Sequence, residues 1–388
     1  MIATLRDLLR RCPDSPLSAA MEAGQRLHVK TGQAAACAGL LPWAAVNARL
    51  SAQALVEGEV SVMRAGREVP LEMLTRLSPD GRRVLLDAQL QALCQGGASL
   101  VLLGMHRHVQ TLAALAAMVE RHVEAPVTVN AYASFTRDGA FQIHRDGHDV
   151  LVVQIAGRKR WFCHGRRSDP PFGGDTVDPR RDAGPPEAEM VLAPGDLLFL
   201  PKGDYHRAEV AEAGGQSLHL TLAIQRPDGA EVLRWRLREM ADRLAAPVPM
   251  DPSARGAYEA QLKAVLADLS AGLDLDRFQA AQAAARPLAG AMALGLATGA
   301  GGPEDAVLVQ PALRRRPVLP ATGPADIRAG GVTTHLNAPE CAILALLLDR
   351  DIATMGEILA GLPSEAPAAL RAAVAALARR GLVFLTAP

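Results

Sequence analysis

The sequence predicts an α+β chain built around an antiparallel β-sandwich or barrel. Between Ser99 and Ile224, short apolar runs alternate with Gly, Pro and Asp punctuation, as in a domain of many short strands. Before that stretch, helical and strand spacings are mixed. After Asp228, apolar residues recur three and four positions apart, the period of helices.

In residues 1–95, a mixed segment expected to pack on the barrel, Trp43, Val46 and Leu50 share one helical face. Val60 to Met63 and Arg67 to Leu71 read as short strands around the turn Ala65-Gly66, and Arg82 to Leu93 as a helix. Residues 96–227 form the predicted barrel. Ser99 to Leu103 is a compact apolar run, and His108 to Val119 a helix with an Ala/Leu stripe. Strands then follow at Val127 to Ser134, Phe141 to Ile143, Val150 to Ile155, Arg160 to Cys163, Glu189 to Leu192, Asp196 to Leu200, His206 to Val210 and Ser217 to Ile224. Gly165 to Pro186 carries Pro, Gly and charge without an apolar period, so a surface loop is expected. In residues 228–300, Leu233, Leu237, Met240 and Leu244 repeat at 4, 3 and 4, as do Leu262, Leu266, Leu269 and Leu273. Paired stripes of this kind imply helix-on-helix packing, within one subunit or between two. Gly299 to Pro324 reads as a linker or a strand-poor connection. In residues 301–388, helices at Ala338 to Leu348, Met355 to Leu359 and Pro367 to Arg380 precede a closing strand, Leu382 to Leu385, which is the pattern of a winged-helix module.

The chain has 41 basic and 41 acidic residues among 388, so no global field favours nucleic acid or an anionic membrane. The clusters Arg166-Arg167, Arg180-Arg181 and Arg314 to Arg316 are expected to be solvated surface, and nucleic-acid binding is not expected. Cys12, Cys37, Cys94, Cys163 and Cys341 form no CxxC pair and suggest neither a zinc ribbon nor a disulfide framework. The first residues lack an apolar core of signal-peptide length, and the Ala-rich stretch Ala280 to Ala300 is broken by Arg286-Pro287 and several glycines. A cytoplasmic protein with no membrane span is the expectation.

The chemistry is concentrated in Phe141-Gln-Ile-His144-Arg-Asp146 and in Leu198-Phe-Leu-Pro-Lys-Gly-Asp-Tyr-His206. Alternation along a strand sends His144 and Asp146 to one face and Arg145 to the other. His206 follows the turn Pro194-Gly195-Asp196, a buried strand and a second turn that returns the chain into the barrel. Two histidines and one carboxylate capping half a coordination sphere suit ferrous iron, with open positions for a chelating cosubstrate and dioxygen. Lys159 alternates away from Arg158 and Arg160, where it could hold the distal carboxylate of an oxo-acid. Asn130 and Tyr132 share a face one strand earlier and can donate hydrogen bonds to the same acid. Ser217, His219 and Thr221 share a face of their strand, His219 being expected as a satisfied polar residue beside the site. His148 is expected near the mouth and His164 in solvent.

Asn130-Ala-Tyr132, His144-Arg-Asp146, Gln154-Ile-Ala-Gly-Arg-Lys159-Arg-Trp161, Pro194-Gly-Asp-Leu-Leu-Phe-Leu-Pro201 leading to His206, and Ser217-Leu-His-Leu-Thr221 together resemble the JmjC-type 2-oxoglutarate oxygenases, in their ribosomal-oxygenase branch of protein hydroxylases. The resemblance implies a double-stranded β-helix (a jelly-roll or cupin barrel), followed by a helical dimerisation region and a C-terminal winged helix. It implies Fe(II) held by His144, Asp146 and His206, and 2-oxoglutarate held by Lys159 with Asn130, Tyr132 and Thr221 assisting. The expected activity is hydroxylation of a residue in a protein or peptide, by a homodimer. Two alternatives stay open: N-methyl-lysine demethylation on the same iron site, and a non-oxygenase metal-binding cupin that regulates DNA through its winged helix.

Overall fold

The computed structural model describes residues 16–51, 58–135, 141–166, 183–213, 215–286 and 303–386. The chain opens with α1 (Pro16–Ala23), β1 (Leu27–Lys30), α2 (Ala34–Leu40), α3 (Trp43–Ser51), β2 (Val60–Arg64), β3 (Arg67–Glu68), β4 (Thr75–Leu77), β5 (Arg83–Leu85), α4 (Asp87–Gln95) and β6 (Ser99–Leu102). Next come α5 (Gln110–Val123), β7 (Val127–Ser134), β8 (Asp149–Gly157), β9 (Lys159–Arg166), β10 (Ala188–Leu192), β11 (Asp196–Leu200), β12 (Asp204–Val210) and β13 (Ser217–Ile224). The remainder is α6 (Gly229–Glu239), α7 (Ala241–Leu244), α8 (Arg255–Ala271), α9 (Leu275–Ala285), β14 (Leu308–Pro311), β15 (Ala325–Ala329), β16 (Val332–Leu336), α10 (Ala338–Arg350), β17 (Ala353–Thr354), α11 (Met355–Gly361), α12 (Pro367–Arg379) and β18 (Val383–Thr386).

An eight-stranded sheet runs β1-β11-β8-β13-β7-β6-β2-β3 and a three-stranded sheet runs β10-β9-β12, all pairs antiparallel. Side-chain alternation explains why several of these strands are apolar throughout. On β8, Val150 and Val152 join Trp161, Cys163, Leu192, Leu198 and Leu200 in a cluster between the two sheets. Leu151, Val153 and Ile155 point the other way into the main core with the flanking helices. Burial on both faces removes the polar half of the usual alternation. β7 and β13 differ: Val127, Val129, Ala131 and Ala133 of β7, and Leu218, Leu220, Leu222 and Ile224 of β13, face the helices. Their intervening residues turn inward, and all of those but Ala223 carry a polar group.

α5 is buried from Leu112 to His122. Leu112, Leu115, Ala116, Met118 and Val119 pack into the main core, while Ala113, Ala114 and Ala117 meet Ala312 and Phe384 of the C-terminal segment. The Ala-rich composition therefore serves a helix enclosed from two sides, where small side chains permit close approach. Arg121 at its end donates to the carbonyls of Pro311 and Leu313 and pairs with Asp351 at 2.9 Å. His122 reaches the other Asp351 oxygen, also at 2.9 Å.

Three strands, 127–134, 196–200 and 217–224, match the sequence expectation residue for residue. Phe141 to Ile143 is not a strand: only His144 pairs, in an isolated bridge. The predicted helix Arg82 to Leu93 divides into β5 and α4, and the predicted strand from Arg67 ends at Glu68. Arg314 is not a solvated charge but pairs with the buried Glu120 at 2.7 Å. The expectations for Cys12, for Arg180-Arg181, for residues 167–182 of the surface loop and for most of Ala280 to Ala300 lie outside the described residues. Among the described residues, no helix is long and apolar enough to cross a membrane.

Contacts divide the chain into two compact units, one of residues 1–225, 288–327 and 335–388, the other of 226–287 and 328–334. In the second, α6 starts at a capping box between Asp228 and Glu231. Val232 and Trp235 pack on Phe278, and Met240 and Leu244 pack on Val265 and Leu269. The two leucine stripes are thus split: Leu269 is buried, whereas Leu233, Leu237, Leu266 and Leu273 are 44%, 38%, 59% and 45% exposed.

Asp351→Ala strands the Arg121 guanidinium inside the first unit without its charge partner. It is expected to cost about 3–5 kcal/mol of unfolding free energy, the cost of breaking a buried pair by removing one member. Urea denaturation measures this; a midpoint equal to that of the unaltered protein contradicts it.

Candidate metal centre

β12 begins after the turn at Pro201 to Gly203, and the chain carrying His144 and Asp146 runs beside it. His144 N–H donates to the His206 carbonyl at 3.0 Å, and His206 N–H returns a bond to the His144 carbonyl at 2.8 Å. Gly203 N–H adds a third bond, 3.0 Å to the Asp146 carbonyl. Beside it the pairing of β12 with β9 shifts by one between Tyr205 and His206, the extra residue being His164 on β9. These constraints place one ligand atom from each of His144, Asp146 and His206 within 4.8 Å of one another.

Each imidazole is held in one tautomer. His144 Nδ1 lies 2.9 Å from the Gln142 carbonyl and His206 Nδ1 lies 2.9 Å from the Asp204 carbonyl. A carbonyl only accepts, so both Nδ1 atoms carry the hydrogen and both Nε2 atoms are left as lone-pair donors to a metal. His206 Nε2 sits 3.5 Å from Asp146 Oδ2. Burial, reinforced by His144, pushes His206 down to about 4, so it is neutral at physiological pH. Two imidazole lone pairs and a carboxylate converging without a hydrogen between them fit a divalent cation and little else. Asp204 is itself anchored: Arg26 Nε lies 3.0 Å from Asp204 Oδ2.

The centre opens into a cavity of about 190 Å3 between the two sheets. Register across β7 and β13 arranges its floor in levels: Asn130 opposite Thr221, Tyr132 opposite His219, Ser134 opposite Ser217. Lys159 enters from β9, 2% exposed, while Arg158 and Arg160 pair with Glu212 and Glu189 on the outside. The one-residue turn that delivers it depends on Gly157 (φ 64), where an added Cβ would collide with the Gln216 carbonyl. Lys159 Nζ donates to Ser134 Oγ at 3.0 Å, and Ser99 Oγ lies 3.0 Å from the same hydroxyl. No carboxylate among the described residues pairs with it. Burial alone lowers the Lys159 amine to about 7. Tyr132 is pushed up to about 12 by burial and by Asp146, and so keeps its O–H. Asn130 Oδ1 accepts from Gly104 N–H at 2.9 Å.

Every site residue expected from sequence lines this cavity: Asn130, Tyr132, His144, Asp146, Lys159, His206 and Thr221, with His148 beside them. Three particulars differ from expectation. His219 is buried, but its Nδ1 finds no partner. His164 is 5% exposed rather than solvated, with Nδ1 2.8 Å from the Gly184 carbonyl. Ser134 and Trp161 also belong to the interior, as strand parity with Tyr132 and with Lys159 would have shown.

Residues 103–232 match the family model described as JmjC domain. Over 156 residues the chain is 34% identical to human "Ribosomal oxygenase 1", an overlap of 38% of this chain and 23% of the relative. It is 31% identical over 147 residues to "Bifunctional lysine-specific demethylase and histidyl-hydroxylase NO66" of Drosophila persimilis, 38% of this chain and 21% of the relative. Residues 103–232 are thus a JmjC domain, similar to that of ribosomal oxygenases. It spans less than a quarter of the length of these curated relatives. Its fold is also that of Escherichia coli ycfD, with a TM-score of 0.53 at 15% identity over 93% of this chain and 95% of the other. A further structure of that bacterial protein, described as a ribosomal oxygenase in complex with cobalt and 2-oxoglutarate, matches with a TM-score of 0.50 at 15% identity over 93% and 94%.

In this JmjC domain, His144→Ala or Asp146→Ala is expected to weaken binding of manganese(II) by at least roughly 100-fold, the upper end of what loss of an outer-shell partner costs a metal site. Calorimetric titration reads the change. Undiminished affinity in both variants would remove the two residues from the site.

Proposed function

We propose that this chain is an Fe(II)- and 2-oxoglutarate-dependent oxygenase that hydroxylates a residue of a protein or peptide. One observation carries the proposal: a single cavity holds both a three-acceptor centre and, apart from it, a buried lysine with no carboxylate partner among the described residues. A divalent metal answers the first and an anion the second. A 2-oxo acid with a distal carboxylate answers both at once, and the bacterial ribosomal oxygenase of similar fold was solved with cobalt and 2-oxoglutarate. Bound iron and 2-oxoglutarate together supply oxidation of a C–H bond, one dioxygen atom passing to the substrate and the other to succinate, with release of carbon dioxide.

The protein's own part is placement. His144, Asp146 and His206 would hold the metal at the edge of the cavity. Lys159 seats the distal carboxylate through a charge-assisted hydrogen bond, with Ser134 fixing its Nζ. Tyr132 and Asn130 stand beside the acid as neutral hydrogen-bonding groups, and Thr221 offers a hydroxyl at the Asn130 level. Phe141 and Trp161 bring apolar rings against His144 and His206, which limits water around the centre. An inward Lys159 argues against a cupin that merely senses metal. Demethylation of N-methyl-lysine is the second reading, favoured by the bifunctional name of the fly relative. Mass spectrometry of modified peptides separates the two: hydroxylation adds an oxygen, demethylation removes a methyl group.

The proposal extends to the rest of the chain: a mixed segment over 1–95, the barrel over 96–227, a dimerising region over 228–300 and a winged helix over 301–388. Leu233, Leu237, Leu266 and Leu273, exposed on α6, on α8 and just beyond it, give the third region an apolar surface that a second copy would cover. The order of α10, α11 and α12, with β14 between β17 and β18, supports the fourth.

Lys159→Met is expected to raise the dissociation constant for 2-oxoglutarate by about 10–100-fold, the worth of a hydrogen bond to a charged group. Binding should also depend on pH. The free amine titrates near 7, and a docked carboxylate stabilises the ammonium, so the complex holds its proton to higher pH. Affinity is then fullest below pH 7 and falls by up to about tenfold per unit above it. Lys159→Met should flatten this slope; a slope that persists in the variant excludes the lysine as its source. Leu233→Glu combined with Leu266→Glu should convert a dimer to a monomer in light scattering, and an unaltered protein that is already monomeric refutes the dimer.

A further inference from the structure

We propose that His219 is a second contact for the distal carboxylate of the cosubstrate and helps the cavity discriminate a 2-oxo diacid from a 2-oxo monoacid. This rests on the function proposed above and assigns a role to a residue that the metal centre does not use.

His219 is 3% exposed and its Nδ1 is buried without a partner. Among the described residues, no hydrogen bond reaches its other ring nitrogen either, and the ring lines the cavity. Buried polar groups in folded proteins are almost always paired, and leaving one unpaired is costly. The ring cannot turn to repair this. It stacks on Tyr132 with centroids 4.9 Å apart and planes 8° from parallel, and meets Trp161 edge-on at 5.6 Å and 78°. Unbroken pairing of β13 with β7 across Leu218, His219 and Leu220 fixes its backbone. Position then selects the ligand atom. His219 lies one same-face step along β13 from Ser217, which is opposite Ser134, the hydroxyl that holds Lys159. Such a step is about 6.6–6.8 Å, within the reach of one carboxylate between the two side chains. Burial and the charge of Lys159 keep the imidazole neutral, so one nitrogen carries a hydrogen to donate.

The test is calorimetric titration of zinc-loaded protein with 2-oxoglutarate and with 2-oxopentanoate, which has the same five carbons but a methyl end. His219→Phe keeps a ring against Tyr132 and removes both nitrogens; His219→Gln restores a donor. The phenylalanine variant is expected to lose roughly tenfold or more in affinity for 2-oxoglutarate and little for 2-oxopentanoate, with glutamine recovering most of the loss. Equal losses for both acids, or none, overturn the role of His219 while leaving the function proposed above standing. If the unaltered zinc-loaded protein does not bind 2-oxoglutarate, both proposals fall. A measurement without substitution guards against a variant that does not fold. The 15N resonances of the His219 ring should shift when 2-oxoglutarate is added and stay in place with 2-oxopentanoate, and unmoved resonances with both acids overturn the proposal.

Discussion

The site depends on two backbone hydrogen bonds. His144 and His206 exchange N–H and carbonyl in an isolated bridge, outside the regular ladder of either sheet. That exchange fixes the spacing of the two imidazoles independently of their side chains, and the carbonyls of Gln142 and Asp204 then fix which nitrogen faces inward. A metal entering such a site meets lone pairs already oriented. The ordering cost has been met by folding, which is the general advantage of ligands supported by an outer shell.

The division of labour between faces of the large sheet extends this economy. β7 and β13 commit one parity of residues to the helix-covered core and the other to the cavity, so the same strands supply stability and chemistry. β8 and β11 commit both parities to apolar packing and brace the sheet beside them. The register shifts beside His206 and His219 place their extra residues, His164 and Ile155, on the partner strands β9 and β8, so the strands that carry the two interior histidines stay regular.

Much of the barrel was legible because strand alternation is a local signal. Val127 to Ser134, Asp196 to Leu200 and Ser217 to Ile224 carry their ends in flanking turn residues. Parity put Lys159 on the face opposite Arg158 and Arg160, and the assembled sheets turn that face inward. Phe141 to Ile143 misled because an apolar, alternating run need not find a neighbouring strand; there the chain contributes one bridging residue and otherwise follows the cavity wall. Arg314 misled because a run of arginines looks solvated until Glu120, almost two hundred positions earlier, is brought against it. The unpaired state of His219 was not legible. Period shows that it shares a face with Ser217 and Thr221, but the lack of a partner is a property of the assembled interior. The leucine stripes after Asp228 were seen as one packing surface each, whereas helix geometry divides them between an inner and an outer face.

The helix α5 bears on how this protein could have been assembled over time. Its alanines touch the large sheet's core on one side and the C-terminal segment on the other, with Arg121 and Asp351 sealed between. The matched family region ends at residue 232, yet the packing of a helix inside it is completed by residues beyond 303. Gene fusion or exchange at that boundary would therefore leave an unsealed helix and a lone interior charge. In packing terms the barrel does not close at residue 232 but only with its C-terminal segment in place.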